Sequence, residues 1–293
     1  MTRSPVSALR PASVPHPPLS LAALGFLEVD PPTLVSIAAE AGFSSVSMRM
    51  RPAVAGGLHY PLEVGSPLAR QTRERIRDTG VGILQIELIT LDRTTDIGAC
   101  RPLLEAGAAL GAERLTATGD DPDPAVVAGK LGELAALALE YRMTVDLEFM
   151  PFRHLATLEG ALAAVAAAGR DNVVVMVDAL HLVRSGGRAA DVAAADPHRL
   201  GVFQLCDGPL TGPAPEGLAA EAREARLLPG RGGFPLGALL DAMPARAILA
   251  AEVPLAASLP GLSPRERARM IHAATVGFLA EHRRAAAGAP ADR

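Results

Sequence analysis

Aromatic residues are scarce. They make up 3% of the 293-residue chain, and Trp is absent. A chain so poor in rings offers few platforms on which bases could stack. It also lacks a run of basic residues, and its formal net charge is −4, so a nucleic-acid partner is not expected. Cysteine is nearly missing too: Cys100 and Cys206 form no CxxC pair and no disulfide framework, which suits a reducing, cytoplasmic location. No apolar run reaches the roughly 18 residues that a membrane span needs, so no membrane partner is expected. Finally, no GxGxxG follows the first apolar run, where "LGFLEVDPP" stands instead. The usual phosphate turn of an open doubly wound sheet is therefore missing.

What is present is apolar. Hydrophobic residues make up 49% and charged residues 20% of the chain, enough for a large core. Residues 1–18 are rich in Pro and Ser, without the apolar segment of a signal peptide, and read as a flexible arm. Residues 284–293 read as a flexible tail. Between them, residues 19–283 alternate short apolar runs with amphipathic Ala/Leu-rich stretches. Eight candidate strands cover 19–26, 44–50, 82–91, 113–118, 143–149, 172–179, 200–207 and 246–253. Between several of them lie helical stretches with start and stop signals, such as Ser66-Pro67 before one and Gly80 after it. Strands alternating with helices imply a parallel sheet. Eight such units in one domain predict an α/β fold, the closed (β/α)8 TIM barrel.

In such a barrel the chemistry lies at the C-terminal strand ends. The last four candidate strands each deliver ligand-type side chains there: Glu148; Asp178 with His181; Gln204 with Asp207; and Glu252. A single carboxylate at a strand end is more often a helix cap or a salt-bridge partner. Several on successive strands are another matter, because buried carboxylates repel one another and each costs several kcal/mol to desolvate. A divalent cation is the simplest remedy. The set Glu148, Asp178, Gln204 and Glu252 is hard and oxygen-rich, which favours one Mn2+ ion, with Mg2+ or Co2+ as alternatives.

The segments "LEFMPF", "VMVDALHLVRSGG", "FQLCDGP", "ARLLPGRGGFPL" and "AEVP", in this order, resemble the sugar phosphate isomerase/epimerase superfamily. That resemblance implies a xylose isomerase-like barrel. It includes ketose 3-epimerases, hydroxypyruvate isomerases, inosose dehydratases, 3-dehydroshikimate dehydratases and the endonuclease IV branch. It implies that Glu148 and Glu252 are metal ligands doubling as acid/base partners and that Asp178 is a ligand. His181 would touch substrate or lie behind the ligands. Arg226 of "RLLPGRG" would contact a substrate oxygen. Gln204 stands where the epimerases usually have His and is similar to the dehydratases; with so few strand-end histidines it also weighs against the DNA-repair branch.

The implied activity is isomerisation or epimerisation of a small sugar or polyhydroxylated carbonyl compound, by proton transfer through a metal-bound enediolate. The alternative is a dehydratase of a 3-dehydroshikimate- or inosose-like substrate; a third reading is a non-catalytic, ligand-binding barrel. Three further residues keep two readings each: Glu87 lines the pocket or pairs with a buried cation, Arg49 binds a substrate anion or makes a rim salt bridge, and Asp207 supports a ligand or binds a hydroxyl. Barrels of this kind often pair through rim loops as homodimers.

Overall fold

The computed structural model of the protein describes residues 17–54 and 56–288; the expected N-terminal arm lies almost wholly outside them. The expected strands form, in order, β1 Leu19–Leu21, β2 Ser45–Arg49, β3 Gly82–Leu91, β4 Arg114–Gly119, β5 Thr144–Glu148, β6 Val173–Asp178, β7 Leu200–Leu205 and β8 Ile248–Ala251. All pair in parallel, and β8 closes onto β1 through Leu19↔Leu249 and Leu21↔Ala251. The chain is a (β/α)8 barrel. Every residue of β6 and β7 is buried, as expected of parallel strands covered on both faces.

The helices are α1 Pro31–Ala41, α2 Pro67–Thr79, α3 Arg101–Ala109, α4 Pro124–Glu140, α5 Leu158–Ala168, α6 Ala179–Arg184, α7 Ala189–Ala193, α8 Leu218–Glu224, α9 Leu236–Ala242 and α10 Pro264–Gly288. Asp30, Ser66, Asp123 and Thr157 cap α1, α2, α4 and α5 by accepting a backbone N–H. Gly42 and Gly80 end α1 and α2 with φ of 99° and 74°, a left-handed stop that a side chain would strain.

Two boundaries differ from the sequence reading. The first strand ends at Leu21, and Ala23–Phe26 turn into a 3-10 helix. Gly25 there lies so close to the end of β8 that a Cβ would stand 3.1 Å from the Val253 carbonyl oxygen. At the other end, α10 continues to Gly288, past residue 284, where the tail was expected to begin.

The barrel interior is layered. At the bottom, Arg114 donates two hydrogen bonds of 2.6 Å to the fully buried Asp146. Gly201 makes room for this pair, since a Cβ there would stand 2.7 Å from Arg114 Nη2 and 2.5 Å from Val174 Cγ2. Above it Met176, Val202 and Ala250 form a small apolar plug. Above the plug lies the candidate site.

Candidate active site at the C-terminal rim

Glu148 ends β5 and Asp178 ends β6. Gln204 lies opposite Asp178 in the β6–β7 register. Glu252 follows β8 and extends its ladder, its N–H donating to the Leu205 carbonyl at 3.2 Å. All four are buried, and Gln204 reaches Glu252, its Nε2 donating to Glu252 Oε1 at 3.3 Å. Asp178 also caps α6, because its Oδ1 accepts the His181 N–H at 2.9 Å. That cap fixes the three-residue spacing: His181 is in the first turn of the helix that Asp178 starts. Its ring is carried back to the carboxylates, with Nε2 3.8 Å from Glu148 Oε1. The imidazole is thus deeper than a residue that only touches substrate from the rim. Glu148, Asp178 and His181 each present an atom within 4.8 Å of the other two, the one such group of three His, Cys, Asp or Glu among the described residues.

Arg226 is placed differently from expectation. It lines the cavity, but its guanidinium is turned onto the carboxylates, with Nη1 2.5 Å from Asp178 Oδ2 and Nη2 2.8 Å from Glu252 Oε2. Nε donates to the Ala222 carbonyl at 2.7 Å, so the head group is fully engaged and buried. Asp207 does not reach the cavity at all. Its oxygens accept the backbone N–H groups of Gly208 at 2.9 Å, Phe234 at 3.0 Å and Gly230 at 3.1 Å. It therefore organises the loop that carries Arg226, rather than offering an oxygen to a substrate hydroxyl. Glu87 and Arg49 both line the cavity and pair with each other, Arg49 Nη2 and Nε donating to Glu87 Oε2 at 2.9 and 3.1 Å.

The electrostatics separate these groups. Burial, then the charges of Glu252 and Asp178, push the Glu148 carboxyl well above its ordinary range. Burial pushes Glu252 up to about 7, against the pull of Arg226. For Asp178, burial acts upward, but the Arg226 guanidinium together with the His181 ring and its backbone N–H outweighs it and holds the group low. Burial drives His181 down to about 4, so it is neutral at neutral pH. Glu148 thus retains a proton at neutral pH and Glu252 is about half protonated there, and a divalent ion would replace these protons. Gln204 Oε1 also lies 3.1 Å from both Asp178 Oδ2 and Glu148 Oε1. Three oxygens facing one another call for a cation between them, for the proton kept on Glu148, or for the amide turned over so that its nitrogen donates to both carboxylates. The His181 Nδ1 atom is buried without a hydrogen-bond partner. This donor set fits a divalent metal ion.

The sequence reading missed part of the cavity wall. Gln85 and Thr116 face it from β3 and β4, each with a buried oxygen that no hydrogen bond satisfies. Gln85 precedes Glu87 by two, so the period-2 rule that puts Glu87 inside also puts Gln85 there. Phe152, Arg153 and Arg223 complete the mouth. Phe152 packs edge-on against His181, centroids 5.5 Å apart.

Comparison with known proteins agrees with the fold. The sequence profile described as xylose isomerase-like TIM barrel matches residues 35–269. An inosose isomerase of Bacillus velezensis is 32% identical over 115 residues, a stretch spanning 39% of this chain and 39% of that protein. Among solved structures, the IolI protein with a bound zinc atom superposes with a TM-score of 0.76 at 19% identity, covering 90% of this chain and 99% of its own. A protein described as the probable 3-DHS dehydratase AsbF of Bacillus anthracis gives 0.68 at 15% identity, covering 90% and 98%. The D-allulose 3-epimerase of a Methylomonas species gives 0.65 at 17% identity, covering 90% and 97%. Isomerases, epimerases and a dehydratase are thus all among the similar proteins, and the chain belongs to the xylose isomerase-like TIM barrel family.

Proposed function

We propose that this protein is a metal-dependent isomerase or epimerase of a small polyhydroxylated hydroxyketone. One observation carries the reading: Glu148 and Glu252 are both buried, both held above the ordinary carboxylate range, and both line one cavity. Such a pair is suited to taking a proton from carbon and returning one. Glu148, Asp178, Gln204 and Glu252 would hold the ion, and the oxygen-rich set favours Mn2+ over zinc, although the IolI relative contains zinc. When bound, the ion would supply Lewis-acid polarisation of the substrate carbonyl.

The chain's own residues do the rest. One of Glu148 and Glu252 removes the proton next to the carbonyl; the other returns a proton to the same carbon or its neighbour. Arg226 holds Asp178 and Glu252 in place and offsets part of their charge. Gln85, Glu87 and Thr116 each present an unsatisfied buried oxygen along the wall, suited to substrate hydroxyls. A dehydratase shares the first proton transfer, and Gln204 favours that second reading; a neutral His181 beside the cavity could then accept or pass on the proton. The buried, unpaired cysteines suit a cytoplasmic protein.

The test is incubation of the Mn2+-loaded protein in D2O with ketoses, inososes and 3-dehydroshikimate. Deuterium on the α-carbon without loss of water supports the isomerase. New ultraviolet absorbance from a conjugated product moves the assignment to the dehydratase. Glu252→Gln should abolish exchange; full turnover in that variant would sink the site assignment.

A further inference from the structure

The cavity wall is charged, and almost every charge on it has a counterpart. Arg49 pairs with Glu87. Arg153 pairs with Asp120, which also accepts from the backbone and ring of His154. Arg226 pairs with Asp178 and Glu252. A divalent ion together with the Arg226 guanidinium would balance Glu148, Asp178 and Glu252. One cavity-lining charge is left over.

That charge is Arg223. It is exposed, and its guanidinium carbon stands 5.8 Å over the Phe152 ring. No carboxylate pairs with it among the described residues. Its neighbour Glu224 lines a separate groove with Pro209 and Thr211, on another side of α8. Glu221, two residues back and so on the far side of the helix, is taken by Arg184 in a bidentate pair of 2.7 and 2.6 Å. That pair also anchors α8, the helix that presents Arg223. Phe152 positions the guanidinium from below while packing on His181 from its own side of the mouth.

The geometry points to a substrate that carries an anionic group, a carboxylate or a phosphate monoester, at the end remote from the reacting carbons, with Arg223 as the residue that receives it. This rests on the hydroxyketone reading above and narrows it: neutral ketoses and inososes would leave the Arg223 charge unmatched at the mouth. A planar guanidinium presents several N–H donors to either kind of oxyanion. Because the contact lies at an exposed rim, it adds selectivity more than affinity, and salt screens it.

The test is calorimetric titration of the Mn2+-loaded full chain with D-fructose, 5-keto-D-gluconate and D-fructose 6-phosphate. At least one anionic ligand should bind about two- to fivefold tighter than fructose, the range of an exposed ion pair. Whether the carboxylate or the phosphate gains more identifies the group. Arg223→Gln should bring the anionic ligands down to the affinity that the same variant has for fructose, and raising the salt concentration should weaken only the anionic ligands. Fructose binding as tightly as both anionic ligands, neither anionic ligand binding, or a preference that survives Arg223→Gln overturns the inference. Deuterium exchange judges the hydroxyketone reading separately: exchange into neutral ketoses alone would leave that reading standing and remove this one.

Discussion

Asp207 offers the sharpest single test of how this rim is built. Its carboxylate accepts three backbone N–H groups, from Gly208, Gly230 and Phe234. Truncation to Ala leaves all three without their partner. Gly230 is exposed and can turn to water, whereas Gly208 and Phe234 are buried. Each buried orphan costs about 1–3 kcal/mol, and hydrogen bonds to a charged acceptor sit at the upper end. Relief from keeping a carboxylate buried offsets part of this. Asp207→Ala should therefore lose about 3–5 kcal/mol. Asp207→Asn keeps the oxygen that serves Gly208 and Phe234 and gives up the bond to Gly230, so it should lose about 1–2 kcal/mol. Guanidinium unfolding followed by circular dichroism measures both through the shift in midpoint at constant slope. If both variants stay within about 0.5 kcal/mol of the parent, the typical range for an uninvolved surface site, while the KM for substrate rises, Asp207 is a substrate ligand and the loop argument is wrong.

Three further outcomes are expected. Metal uptake by the metal-free protein should release up to two protons below pH 7, because Glu148 and Glu252 retain protons there; titration in buffers of different ionisation enthalpy counts them, and zero release contradicts the site. His181 is held down at about 4, so the unfolded chain binds its proton first as pH falls through about 6.5, and stability is lost from there downward. Glu252, raised to about 7, acts oppositely, gaining stability as pH falls from about 7 to its unfolded value near 4.3. Between pH 7 and 5 the metal-free His181→Asn variant should thus gain about 2 kcal/mol more than the parent, and equal slopes would contradict the buried neutral imidazole. Gly201→Ala drives a methyl group into the Arg114–Asp146 pair and should cost about 1–3 kcal/mol as overpacking; a thermal melt unchanged within error would show that the barrel floor yields.

The strands were legible because a parallel barrel buries both faces of each one, leaving short β-branched runs such as "VVVMV" whose length and composition favour a strand. The first strand was read too long because "AALGF" is equally apolar in a 3-10 turn, and the nearness of the Val253 carbonyl to Gly25 is not visible in the sequence. Glu148, Asp178, Gln204 and Glu252 could be placed together because a barrel converts strand order into spatial adjacency. Arg226 was harder. It meets Asp178 from 48 residues away, in a loop whose path no periodicity describes. Asp207 sits one residue past the apolar part of its strand, as Glu252 does, and the two differ only in which way the loop beyond them folds. Arg223 reads in sequence as an ordinary solvated charge, and its place over Phe152 depends on how α8 docks.

The layering of the barrel has a kinetic consequence. The Arg114–Asp146 pair and the plug of Met176, Val202 and Ala250 fill the barrel below the cavity, and Phe152, Arg153 and Arg223 line its mouth. An ion held by Glu148, Asp178, Gln204 and Glu252 would be reached from that mouth, which a bound substrate would also fill. Entry would then be ordered, ion before substrate, and departure would run in reverse. A chelator should strip the resting protein readily and be slowed whenever a ligand fills the mouth.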